Sequence, residues 1–71
     1  MEIRFDQVGR IVEGREVGSF VKFINDAEST GGFLILIGTG PGMKPGFDNW
    51  VEDLASLHEF VAASQWIIEW Q

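Results

Sequence analysis

Val17-Gly18-Ser19-Phe20-Val21-Lys22-Phe23-Ile24-Asn25 is the stretch on which the fold turns, because it fits two periodicities. Val17, Phe20, Val21 and Ile24 fall at i, i+3, i+4 and i+7, the apolar stripe of a helix, and Ala27 extends it. Against this, Phe20-Val21-Lys22-Phe23-Ile24 is rich in β-branched and aromatic residues, and Gly18 weakens a helix at its start. The next residues favour a strand. Asn25-Asp26-Ala27-Glu28-Ser29-Thr30-Gly31-Gly32 is loaded with turn formers and leads into Phe33-Leu34-Ile35-Leu36-Ile37, an apolar run of strand length. Two apolar runs around a glycine-ending loop predict a hairpin, with a helix over 17–25 as the competing reading.

Working outward, Glu2-Ile3-Arg4-Phe5 alternates polar and apolar residues as a half-buried strand does. Gly9 and Gly14 bracket a second short strand, Arg10-Ile11-Val12-Glu13. The segment from Gly38 to Gly46 holds four of the nine glycines and both prolines, so it is expected to be a surface connection. Phe47 to Glu52 predicts a further strand. Asp53 is placed to cap a helix through Ser64, with Leu54, Leu57, Phe60 and Val61 on one face; Asn49 with Glu52 is an alternative capping box one turn earlier. Trp66-Ile67-Ile68-Glu69-Trp70 closes the chain as a strand whose rings share a face with Ile68, opposite Ile67 and Glu69. Those two rings compete for one face, so one of them is expected near the surface. The fold class is α+β: a small antiparallel sheet of about four to six short strands, one C-terminal helix over 53–64 packed on it, and a closing strand over 66–70. All of it forms a single domain over 1–71.

Seventy-one residues are near the lower limit for a self-sufficient core, and there is no cysteine to supply a disulfide or a thiolate zinc site. Stability must come from burial, which six phenylalanines and three tryptophans suit. No apolar run approaches the roughly 20 residues that span a bilayer. The N-terminus lacks the basic and apolar regions of a signal peptide, so a cytoplasmic location is expected. The charge is uneven. Residues 1–47 carry six acids and five bases, whereas residues 48–71 carry five acids and no base, for a net charge of −6. Such a field repels nucleic-acid phosphates and acidic lipids and draws in basic surfaces, which argues against direct nucleic-acid or membrane binding.

No residue set meets the needs of an enzyme. The glycine-rich segment fails as a phosphate loop because Met43 separates Gly42 from Lys44, and Pro45 stands where helix N–H groups should converge. It fails as a dinucleotide fingerprint because no helix begins there, so no cofactor is expected. His58 is the only histidine, and its neighbour Glu59 points about 100° away on a helix, so the two form no dyad. Asp48, Glu52 and Asp53 do not match the spacing of a calcium loop, and no metal is expected. If 48–52 is a strand, however, Asp48, Trp50 and Glu52 share a face. That arrangement suits capture of a lysine or arginine, with the ring offering a cation–π surface and the carboxylates offering charge. The competing reading places Trp50 inside the core with the acids merely solvated.

Gly46-Phe47-Asp48-Asn49-Trp50-Val51-Glu52, the helix with Leu57 and Phe60, and the closing Trp66-Ile67-Ile68-Glu69-Trp70 form a pattern with Thr30-Gly31-Gly32-Phe33-Leu34-Ile35-Leu36-Ile37 before them. Over roughly residues 10–70 this pattern resembles small bacterial immunity proteins of polymorphic toxin systems. The resemblance implies a cytoplasmic, non-enzymatic inhibitor that binds a cognate toxin, many of which are nucleases with basic clefts. It transfers no binding residues. From the charge and the rings, the expected partner-binding residues are Asp48, Trp50, Glu52, Asp53, Glu59 and Glu69. Two other classes fit the same composition: an acidic nucleic-acid mimic of phage or plasmid origin that blocks a defence complex, and a homodimer or other homo-oligomeric module joined through strand 66–70 as a sheet edge.

Overall fold

The computed structural model describes residues 2–40, 42 and 46–71, without the side chain of Phe47. Five strands and one helix follow along the chain: β1 (Val8–Glu13), β2 (Phe20–Asp26), β3 (Gly32–Gly38), β4 (Gly46–Val51), α1 (Leu54–Ser64) and β5 (Ile67–Trp70). The strands form one antiparallel sheet in the order β4-β3-β2-β1-β5. The first four make a meander. The helix then carries the chain from the β4 edge to the far edge, where β5 pairs with β1.

The ambiguous stretch is a strand from Phe20 onward. Its ladder with β3 runs unbroken from Phe20↔Gly38 to Asp26↔Gly32. The helical stripe read from 17, 20, 21 and 24 is divided by the pleat: Val21 is buried, Phe20 and Ile24 lie on the opposite face, and Val17 is exposed in the turn. A period of two wins because the turn at 27–31 delivers a matching apolar strand for every backbone group to pair with. That turn is held by Ser29 and Thr30 donating to the Asp26 carbonyl at 3.1 and 2.9 Å, and by Asn25 Oδ1 accepting from Ala27 N at 3.1 Å.

The N-terminal segment departs from expectation. Glu2-Ile3-Arg4-Phe5 makes no ladder; only Phe5 forms an isolated parallel bridge to Phe23, and Asp6, at φ 59°, donates its N–H to the Phe23 carbonyl at 2.8 Å. Of the two apolar residues there, Ile3 packs against the core, whereas Phe5 is 36% exposed with its ring 5.7 Å from that of Phe33. The strand expected at Arg10 begins at Val8, so Gly9 is inside it. Within the glycine-rich connection, Gly38 and Gly46 are paired strand ends, and Pro41, Met43, Lys44 and Pro45 lie outside the described residues.

The helix starts at the expected cap. Asp53, in extended conformation, accepts from Ser56 N at 2.7 Å. No acidic residue occupies the first turn, so the Asp53 carboxylate supplies the negative charge that the N-terminal dipole favours. The buried seam is Leu57, Val61 and Ser64, with Phe60 beside it; Leu54 is 47% exposed and lies outside that seam. Gln65 ends the helix in the left-handed region and returns its N–H to the carbonyls of Ala62 and Val61. The β1–β2 turn docks against this end. Arg15 N donates to the Ser64 carbonyl at 3.0 Å, and the Trp66 indole donates to the Arg15 carbonyl at 2.6 Å. Gly14 (φ 100°) sits where a Cβ would lie 2.6 Å from the Ser64 carbonyl, so both the backbone angle and the space demand glycine.

Packing is one-sided. Ile11, Val21, Phe23, Ile35 and Ile37 point to one face and form the buried core with Leu57, Val61 and Trp66. Both terminal rings belong to it: Trp66 is 5% exposed and edge-on to Phe60, and half-buried Trp70 lies 5.8 Å from Phe23. They avoid competition because Trp66 precedes the strand and Trp70 lies over Gly9, its register partner, where a Cβ would come within 2.9 Å of the ring. Of the three tryptophans, Trp50 is the exposed one, at 50%.

Candidate functional site

Among the described residues, no helix lies above the second face of the sheet. Strand alternation and register place three cross-strand rows there: Ile24–Leu34–Trp50, Val8–Lys22–Leu36–Asp48, and Glu69–Arg10–Phe20. Phe20, Ile24, Leu34 and Leu36 are half-buried by their neighbours alone, and Ile67 is 49% exposed at the β5 end. This is a largely apolar surface crossed by the cations Lys22 and Arg10 and ended by Asp48 on β4 and Glu69 on β5. Its signal was present in the sequence. Phe33 to Ile37 is apolar at every position, so both faces of β3 are apolar, yet one helix can cover only one of them.

Trp50 is the most defined element of this face. Its indole N–H donates to Thr30 Oγ1 at 2.9 Å, and the Thr30 hydroxyl lies 3.3 Å from the Asp26 carbonyl, to which it donates. The ring is seated on Gly32, where a Cβ would fall 2.6 Å from Cε2 and Nε1. One face of the indole thus rests on backbone, its N–H is fixed, and half of its surface meets solvent. A ring held this way loses little conformational freedom on binding.

The six residues expected to meet a partner do not form one patch. Asp48 and Trp50 share the open face of β4, and Glu52 follows, exposed, just past the strand end. Asp53 is next in sequence but its carboxylate is engaged in the helix cap, and the hydrogen bonds from Ser56, backbone first, hold it below its ordinary value of 3.8. Glu59 is exposed on α1, which packs on the other side of the sheet, beside exposed His58. Glu69 is on the open face, but on β5, four strands from β4 and so about 19 Å away at the usual strand spacing. There it is the register partner of Arg10. Among the described residues, no group of three or more His, Cys, Asp or Glu side chains converges as a metal site, and no helix is long and apolar enough to cross a membrane.

The fold is thus α+β, a five-stranded antiparallel sheet with one helix on one face. Comparisons with protein-family models, curated proteins and solved structures give no match.

Proposed function

We propose that this chain is a non-enzymatic protein inhibitor of the immunity type, which binds and neutralises a cognate toxin through the open face of its sheet around Trp50. The observation that carries this reading is the indole itself: half exposed, hydrogen-bonded to Thr30, seated on Gly32, and set at the end of an apolar row with Asp48 and Glu52 beside it. At the β4 end, apolar Leu34 and Leu36 beside Trp50, with Asp48 and Glu52 as the charges on β4 and just past it, suit a basic protein surface better than mimicry of a phosphate backbone, which needs charge along its whole length. The carboxylates steer a basic cleft, such as that of a nuclease, toward the face, and the ring anchors the complex.

The test is co-expression with the product of the adjacent gene, followed by measurement of affinity and of the partner's activity. A stoichiometric, inactive complex is expected, weakened by at least about 30-fold in Trp50→Ala if the ring is a hot spot. Asp48→Lys with Glu52→Lys should slow association and flatten its salt dependence. A complex indifferent to all three changes places the interface elsewhere and defeats the proposal.

A further inference from the structure

The hydrogen-bonding direction of each strand can be followed to the β4 edge. Ile11 N donates to the Ser19 carbonyl at 2.9 Å, and Asp6 N donates to the Phe23 carbonyl, so the odd residues of β2 turn toward β1. Antiparallel ladders alternate, so the even residues of β2 turn toward β3. The register Lys22↔Leu36 then assigns the even residues of β3 to β2 and leaves its odd residues for β4. Through Ile35↔Asn49, the odd residues of β4 pair with β3, and the backbone N–H and C=O of Asp48 and Trp50 point out of the sheet. Among the described residues no donor or acceptor meets these four groups. The side chains of the same two residues lie on the open face.

The other edge is built the opposite way. Gln71 N donates to the Val8 carbonyl at 3.0 Å, so Glu69 and Gln71 turn toward β1, and Ile68 and Trp70 carry the outward groups of β5. Their side chains pack toward the core. A strand added at β5 would therefore find the outward backbone groups on half-buried Ile68 and Trp70, and exposed side chains on Ile67 and Glu69 instead. At β4 it finds both on the same residues.

We propose that the β4 edge receives an extended, basic segment of a partner protein as an added strand, its backbone pairing with Asp48 and Trp50 and its cationic side chains meeting Asp48, Glu52 and the Trp50 ring. The segment is basic because every charge from Gly46 to Asp53 is negative. A second copy of this chain is disfavoured as the occupant, since it would bring Asp48 toward a like edge on a molecule of charge −6. This inference rests on the protein-binding reading above and adds the mode of recognition.

Two capped peptides test it: an alternating Lys/Val hexapeptide, and the same peptide N-methylated at alternate residues. Amide exchange in the free protein should be fast at Asp48 and Trp50 and slow at Asn49. Saturating unmethylated peptide should slow exchange at Asp48 and Trp50 by about tenfold or more. The methylated peptide should not. Asp48→Asn removes charge alone, whereas Asp48→Pro also removes the outward N–H while sparing the β3 ladder. Loss of protection in Asp48→Pro beyond that in Asp48→Asn supports strand addition. Equal binding of both peptides, protection at Ile68 and Trp70 instead, no protection at all, or a concentration-dependent dimer that protects the same amides each overturns it. Charge-dependent binding of both peptides alike would sink strand addition while sparing the protein-binding reading. Binding of neither peptide, together with a cognate complex indifferent to Trp50→Ala, removes both.

Discussion

The two faces of this sheet use the same packing device to different ends. On the covered face Trp70 lies over Gly9; on the open face Trp50 lies over Gly32. In each case a glycine leaves room for a ring from an adjacent strand. The difference lies in what sits above. Trp70 packs against the buried core, its ring 5.8 Å from that of Phe23, and extends that core. Trp50 is hydrogen-bonded at its rim to Thr30, and half of its surface meets solvent. Local sequence creates the seat, and the second layer determines whether the occupant is structural or available.

The largest test of this contrast is truncation of matched apolar residues. Phe23→Ala on the covered face should cost about 3–5 kcal/mol, most of the stability of a domain this size. Leu34→Ala on the open face should cost about 1 kcal/mol or less, since its side chain is only half-buried in the free protein. Thermal or urea unfolding reads both. Similar losses would mean that the open face is held in the free protein as firmly as the core.

Gly32→Ala should have an intermediate effect, about 1–3 kcal/mol, because the new methyl meets the Val51 carbonyl oxygen as well as the Trp50 ring. Its signature is local. The Trp50 indole N–H resonance should move and exchange faster as its bond to Thr30 breaks, while those of Trp66 and Trp70 stay in place. Coordinated movement of all three would show that the rings are coupled through the sheet.

The smallest effect belongs to the helix cap. The pKa of Asp53 is lowered in the folded protein, so its contribution is complete above the ordinary value of 3.8 and is lost as pH falls through the lower folded value. Comparing Tm of the native chain and Asp53→Asn from pH 7 to pH 2 should show a gap of a few degrees that closes below pH of about 4. A gap that stays constant or widens toward acid would remove charge from the explanation of the cap. Because the cap stands behind β4, this substitution also separates the role of Asp53 in folding from any role in binding.

Much of the fold was legible because it rests on short-range rules. The turn formers of 25–32 predicted a hairpin, and that hairpin is β2–β3. Asp53 predicted the start of the helix, and it caps it through Ser56. The reading of Glu2 to Phe5 as a strand failed because apolar alternation does not by itself supply a neighbour in register, which pairing needs. Before Val8, where β1 begins, the segment lies along β2 only at Phe23, and it meets it in a single bridge. The candidate site was legible only in pieces. Asp48 and Trp50 were correctly placed on one face by parity, but Glu59 and Glu69, near in sequence, were separated by the sheet and by its width.

By itself the sequence determined the class of the fold, the helix with its cap, the β2–β3 hairpin, and the excess of negative charge after residue 47. These follow from residue type, periodicity and turn chemistry, which act over a few positions. Tertiary structure alone decided which tryptophan is exposed, which acids are neighbours, and which edge offers backbone groups together with side chains. Those depend on strand order and on a single helix covering a single face, and strand order is set by contacts between residues far apart along the chain.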